Sequence, residues 1–284
     1  MHEPVLVAEV VGLMKDAKTV LDMTLGGGGH AEALLEAGVG RVVGVDRDPE
    51  AIAHAGERLA RFGDRFTAVH ARFSEVPRIA AEASFRAVEG TIYDLGVSSL
   101  HLDRPDRGFT YRDDGPLDMR MGHDGPTAAD LVASLPEEDL ADVIYRYGEE
   151  RLSRRISKAI VRAREREPIT MTDQLARIVA GAVPRRRGGG HPARRTFQAL
   201  RIAVNRELEE LEASLPQAVE LLAPGGVLAV ISYHSLEDRI VKRFVAGEER
   251  LEALTKKPIR PGEAEVARNR RARSAKLRAS RRAA

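Results

Sequence analysis

Short β-rich runs alternate with helix-period segments through the first hundred residues, and this rhythm constrains the fold more than any other feature of the chain. Val20-Leu21-Asp22, Arg41-Val42-Val43-Gly44-Val45-Asp46, Thr67-Ala68-Val69-His70 and Thr91-Ile92-Tyr93-Asp94 each read as a strand. Between them lie segments such as Pro49 to Arg61, where Ile52, Ala55 and Leu59 recur at helical spacing behind Asp48 as an N-cap. Repeated strand-helix-strand units predict an α/β domain built on a parallel sheet.

After Leu95 the rhythm stops. Arg104 to Met121 has the Gly, Pro, Asp and Arg content of a loop, and from Thr127 to about Val183 the pattern is purely helical. Ser134 with Glu137, and Pro136 between them, reads as a capping box that opens one helix, with Gly148 ending it. Arg185 to Gly190 reads as a flexible basic loop, and a long helix is expected over about Thr196 to Leu222. Strand signal returns only at Val227 to Ile231, after the turn Pro224-Gly225-Gly226. The expected division is therefore a core over 1–105, a helical insertion over 106–195, and the rest of the core with a basic C-terminal tail over 196–284.

The chain's 284 residues are enough for one large domain or a core with an inserted piece. Its longest apolar runs, such as Val227 to Ile231, are too short to span a bilayer, and Met1-His2-Glu3-Pro4 does not begin a secretory signal, so a cytoplasmic protein is expected. Without cysteine there is no disulfide framework, thiolate nucleophile or thiolate metal site, and the eight histidines show no ligand spacing, so no metal site is expected. The net charge of +2 is unevenly spread: Arg268 to Ala284 holds eight Lys/Arg and no acid, which leaves −6 on the remainder.

Chemistry concentrates at predicted strand ends. Asp22-Met23-Thr24-Leu25-Gly26-Gly27-Gly28-Gly29-His30 joins a strand to a helix, the place where open α/β sheets bind ligands, and its glycines let a ligand approach the backbone. Asp46 ends the next strand, where a carboxylate accepts hydrogen bonds from ribose hydroxyls. Together they imply a nucleoside cofactor. Gly26-x-Gly28-x-x-Ala31 also satisfies the loose dinucleotide fingerprint, so an NAD-dependent oxidoreductase and an S-adenosylmethionine enzyme both stand at this point. Asp94 heads Asp94-Leu95-Gly96-Val97-Ser98-Ser99, and a carboxylate there suits an exocyclic amine that must lose a proton. His30 reads equally as a cofactor contact or a structural histidine, while Ser232, Tyr233 and His234 follow the late strand and are candidates to line a base pocket. The Gly-x-Ser-x-Gly elbow of a serine hydrolase is absent. Plotted as a helix, Glu149 to Arg166 puts Leu152, Ile156, Ala159, Ile160 and Ala163 on one face and Arg151, Arg154, Arg155, Lys158, Arg162 and Arg166 on the other, which favours a polyanionic partner.

These residues resemble the RsmH (MraW) family of small-subunit rRNA cytosine-N4 methyltransferases over nearly the whole chain. The resemblance is carried by Asp22-x-Thr24-x-Gly26-x-Gly28-Gly29-His30, Val45-Asp46-Arg47-Asp48, Asp94 to Ser99, Arg107-Gly108-Phe109 and Gly115 to Met121. Tyr147 to Arg151, His191 to Ala199, Ser235 to Lys242 and Arg271 to Arg278 extend it. It implies a Rossmann-like class I S-adenosylmethionine methyltransferase core with an inserted helical substrate-recognition domain, acting on N4 of a cytidine in the decoding centre of 16S rRNA. It also implies cofactor contacts at Gly28, Gly29, His30, Asp46, Phe73, Asp94 and His101, with Asp94 catalytic. Ser98, Arg155, Arg162, Ser232 and His234 are the expected substrate contacts. Two positions depart from the family pattern: His101 stands where Gln is common, and Asn269-Arg270 where Asn-Pro is expected. The rival outcome to an enzyme is an rRNA-binding assembly factor that keeps only a relic cofactor site.

Overall fold

The computed structural model describes residues 4–184 and 190–284, and the basic loop expected at 185–190 falls, but for Gly190, outside them. The chain divides into two compact units, Met1–Ser99 with Leu208–Ala284, and Leu100–Glu207. The boundaries differ from those expected at 105 and 195.

The first unit is built on a seven-stranded sheet in the order β3-β2-β1-β4-β5-β7-β6. Its strands are β1 (Thr19–Asp22), β2 (Arg41–Asp46), β3 (Phe66–His70), β4 (Val88–Asp94), β5 (Leu222–Ser232), β6 (Leu251–Ala253) and β7 (Lys276–Arg282). β1 to β5 run parallel, whereas β7 is antiparallel to both β5 and β6. Neighbouring strand residues point to opposite faces, and both faces are covered. Leu21, Val43, Val69, Tyr93 and Val230 fill the core on one face; Val20, Val42, Ile92, Ala229 and Leu277 fill the core on the other. The chain turns from the β1-β2-β3 half to the β4-β5 half between β1 and β4, so the crevice of this sheet opens at the carboxyl ends of those two strands. The helix Pro49–Leu59 starts where predicted, with the Asp48 carboxylate accepting the Glu50 N–H at 2.9 Å and proline in the first turn.

The C-terminal segment, expected as a free basic tail, is instead a strand of this sheet. Leu277 and Ala279 are buried, and Lys276 and Arg278 both bind Asp238, at 2.9 and 2.8 Å. Burial works against the charge on Asp238, but these two cations outweigh it and hold its carboxyl below the usual range. The alternation of Leu277 and Ala279 carried the strand signal, and the charge run concealed it.

The second unit holds the helices Ala128–Ser134, Glu137–Gly148, Ser153–Arg164, Thr172–Ala182 and Arg194–Asn205. The expected Ser134 capping box does not form: Ser134 closes a helix, its hydroxyl donating to the Asp130 carbonyl at 2.7 Å. The capping box lies earlier, at Thr127 and Asp130, where three hydrogen bonds of 2.7–3.1 Å join the pair. Gly148 is the last residue of its helix, but Glu149 takes the left-handed turn with φ 48°. Glycine is needed at 148 for packing, since a Cβ there would lie 2.6 Å from the Arg195 carbonyl oxygen. The single helix expected over 196–222 is two, Arg194–Asn205 and Glu207–Leu221, broken at Arg206 with φ 52°. Asn205 is buried at the break and anchors the Gly/Pro loop before the helices. Its amide donates to the Met119 carbonyl at 2.7 Å and its oxygen accepts the Met121 N–H at 2.8 Å.

Candidate active site

Three carboxylates gather at the carboxyl ends of adjacent parallel strands in the first unit: Asp22 on β1, Asp46 on β2 and Asp94 on β4. The glycine-rich loop after β1 is folded around them. Gly26 and Gly28 have φ of +49° and +76°, and a Cβ on Gly28 would press on Ala55 and Leu59 at 3.2 Å, so both backbone hand and helix packing demand glycine there. The Gly26 N–H donates to Asp46 Oδ2 at 2.8 Å and the Asp48 N–H to Asp46 Oδ1 at 2.9 Å. Asp46 is thereby held rigid.

Asp22 is 1% exposed; its Oδ1 accepts the Thr24 N–H at 3.1 Å, whereas its Oδ2 has no hydrogen-bond partner. Burial pushes its carboxyl up to about 6, with Asp94 and Asp46 adding repulsion, while His30 and the Thr24 N–H act in the opposite direction. A buried acid with an orphaned oxygen costs stability unless a cation or donor reaches it.

Asp94 is held through its backbone and one carboxylate oxygen. Its backbone N–H donates to the Thr24 hydroxyl at 2.6 Å, and Oδ1 accepts the Tyr233 hydroxyl at 2.7 Å. His30 Nδ1 faces Oδ2 at 3.6 Å, and the Asp94 side chain keeps 23% of its surface exposed. Burial raises the Asp94 carboxyl above its ordinary value, and Glu237 adds to the rise; His30 and the Tyr233 hydroxyl counteract it. Tyr233 is itself pushed well above 10 by burial and by the Asp94 charge, so it stays a donor. His30 Nε2 lies 2.9 Å from the Val5 carbonyl, which can only accept, so the ring carries a proton on Nε2. Nδ1 is then the ring atom turned toward Asp94.

Other predicted residues take different places. Ser98 lies across from Gly26, whose Cβ would stand 3.6 Å from that of Ser98. Ser232 is buried, with its hydroxyl donating to the Lys276 carbonyl of β7 at 3.4 Å, so its polar end is engaged within the sheet. His234 is the N-cap of the helix Ser235–Gly247, its Nδ1 accepting the Glu237 N–H at 3.4 Å and Nε2 facing Glu237 Oε1 at 3.1 Å. The His234-x-x-Glu237 spacing is the local signal for this cap. Phe73 packs edge-on to Tyr93 at 5.8 Å, beside the first core.

In the second unit, His101 is 3% exposed and packs on Phe109, ring centroids 4.9 Å apart. The helix expected from Glu149 starts at Ser153, and Ile156 and Ile160 are buried as predicted. Arg151, Arg154, Arg155, Lys158, Arg162 and Arg166 are all exposed, and among the described residues none has a carboxylate partner. By contrast Arg164, on the inner side, donates to the Val132 carbonyl.

The profile of the MraW methylase family matches residues 1–283 of this sequence. The chain belongs to that family. Curated relatives agree in length as well as sequence. The ribosomal RNA small subunit methyltransferase H of Sorangium cellulosum is 53% identical over 99% of this chain and 90% of its own length. That of Azorhizobium caulinodans is 50% identical over 99% of this chain and 87% of its own. That of Carboxydothermus hydrogenoformans is 47% identical over 98% and 97%. Six of the seven expected cofactor residues, Gly28, Gly29, His30, Asp46, Phe73 and Asp94, lie in the sheet unit, while His101 belongs to the inserted one.

Proposed function

We propose that this protein transfers a methyl group from S-adenosylmethionine to the exocyclic N4 of a cytidine in 16S rRNA of the small ribosomal subunit, and that it works in the cytoplasm. The observation that carries the reading is the acid cluster with the unpaired buried oxygen of Asp22. S-adenosylmethionine brings an ammonium and a sulfonium, and supplies an electrophilic methyl group when bound. Asp22 Oδ2 would meet the cationic end, Asp46 would accept from the ribose hydroxyls, and the glycines at Gly28 and Gly29 would let the ligand approach the loop backbone. NAD suits this site poorly. Its pyrophosphate would face three carboxylates, and the Gly26 N–H that could greet a phosphate is taken by Asp46.

The cytosine amine is a weak nucleophile because its lone pair is delocalised into the ring. A fixed acceptor favours the pyramidal nitrogen of the transition state. Asp94 is that acceptor: the Tyr233 hydroxyl and the Thr24 hydroxyl lock its orientation, and Oδ2 remains directed at His30 rather than bonded to it. Asp94 Oδ2 would take the proton that N4 sheds on methylation, with His30 Nδ1 beside it at 3.6 Å. Alignment and desolvation supply most of the remaining acceleration. The exposed arginine face of the inserted unit, Arg155 and Arg162 included, contributes phosphate contacts.

Small ribosomal subunits incubated with the protein and methyl-labelled S-adenosylmethionine, digested to nucleosides and weighed by mass spectrometry, test the reading. Label in N4-methylcytidine is expected. Label confined to another nucleoside, or none, would overturn it.

A further inference from the structure

The inserted unit carries a cavity of about 600 Å³ lined by Tyr111, Arg112, Gly190, His191 and Arg194. Among the described residues no carboxylate lines it. Tyr111 and His191 are stacked, centroids 4.5 Å apart and 14° from parallel, and the edge of Phe197 meets Tyr111 at 5.5 Å, so the tyrosine ring is clamped while His191 remains exposed. The Ala193 N–H donates to His191 Nδ1 at 3.2 Å, which fixes the imidazole ring and leaves the proton on Nε2. Arg112 and Arg194 are exposed, and among the described residues neither guanidinium has a carboxylate partner.

We infer that this cavity is a binding site for an unpaired nucleotide of RNA, its base adding to the Tyr111–His191 stack and its flanking phosphates meeting Arg112 and Arg194. The inference rests on the RNA methyltransferase reading and gives the inserted unit a second mode of recognition beside the arginine face. A pre-ordered aromatic rung with bare guanidinium groups matches the two parts of a nucleotide: a π-face with no sequence demand, and an anion. A base within a duplex already has both faces covered, so the ligand is single-stranded.

His191 allows a test that separates stacking from turn geometry. His191→Asn keeps an acceptor for the Ala193 N–H and removes the ring; His191→Phe keeps a ring and removes the acceptor. Binding of the full-length protein to fluorescent oligouridylate, and the KM for small ribosomal subunits, should worsen about tenfold in His191→Asn with kcat unchanged, and stay within about threefold of wild type in His191→Phe. Arg194→Gln should flatten the slope of log K against log salt by about 0.7, the value for one phosphate contact on a single strand, while His191→Asn leaves that slope alone. The inference is overturned if the order is reversed, if both His191 variants match wild type, or if wild type does not bind oligouridylate. If His191-dependent binding is found but wild type methylates no subunit, the nucleotide site stands and the methyltransferase reading falls.

Discussion

The strand-end acids of the sheet unit and the arginine face of the inserted unit are opposite solutions to placing charge. In the first, Asp22, Asp46 and Asp94 are crowded into a largely buried site, each oriented by backbone or hydroxyl donors, and one oxygen is left without a partner. In the second, Arg154, Arg155, Lys158 and Arg162 stand exposed along one helix, with Arg151 and Arg166 just beyond its ends, and among the described residues none has a carboxylate partner. Burial makes the acids few, rigid and perturbed, which suits a small ligand met atom by atom. Exposure makes the cations numerous and interchangeable, which suits a polyanion whose affinity is a sum of screened contacts.

Substitutions should separate the two regions by the size and kind of their effects. Asp94→Asn exchanges an acceptor for an amide that is half donor, so single-turnover methyl transfer with RNA and cofactor both saturating should fall by roughly 10² to 10⁴. A near-normal rate would remove Asp94 from the chemical step.

The next effect concerns stability. The folded protein holds the Asp22 proton up to about pH 6 against an ordinary 3.8, so its contribution is fully present below about 4 and is lost as pH rises through 6. Ionised Asp22 therefore costs the ligand-free fold about 3 kcal/mol near neutrality. Asp22→Asn should unfold at a higher temperature than wild type at pH 7.5, the gap closing toward pH 4, while binding S-adenosylmethionine less tightly. Equal melting temperatures at both pH values would mean the carboxylate is not strained by burial.

In the inserted unit, Arg155→Glu with Arg162→Glu should lower RNA affinity about tenfold at low salt and flatten its salt dependence, with cofactor affinity unchanged. A salt slope identical to wild type would place the RNA path elsewhere.

The smallest effect is Tyr233→Phe. Its hydroxyl favours the ionised form of Asp94, so its loss should raise that carboxyl further and move the acidic limb of the pH–rate profile to higher pH, with a modest change at pH 8. An unmoved limb would mean that Asp94 does not set it.

The same contrast governs what could be read in the sequence. Strands β1 to β5, the glycine loop and its three acids were legible because each is a local pattern, a short β-rich run that in β1, β2 and β4 ends in a carboxylate. The Asp94–Tyr233 bond was not, since it joins residues 139 apart and only the β4–β5 pairing brings them together. Strand β7 was hidden because its arginines read as a solvated run, while its apolar alternation is only two residues deep. The break at Arg206 was hidden because the strongest breaker in the run from Thr196 to Leu222 is Pro216, which lies inside the second helix; Asn205 turns inward at the break to bind backbone groups of Met119 and Met121, contacts supplied by a distant loop. The arginine face was legible, because periodicity and charge are both one-dimensional properties.

The account rests most directly on Asp22 receiving a cation, and proton linkage reads that event. Titrating S-adenosylmethionine into the protein at pH 6 in two buffers of different ionisation enthalpy measures protons released on binding. Because Asp22 is held at about 6, roughly half a proton should leave it per cofactor bound, and that release should vanish in Asp22→Asn. Equal proton release by wild type and Asp22→Asn, or none by wild type, would contradict the assignment of the acid cluster to a cationic methyl donor.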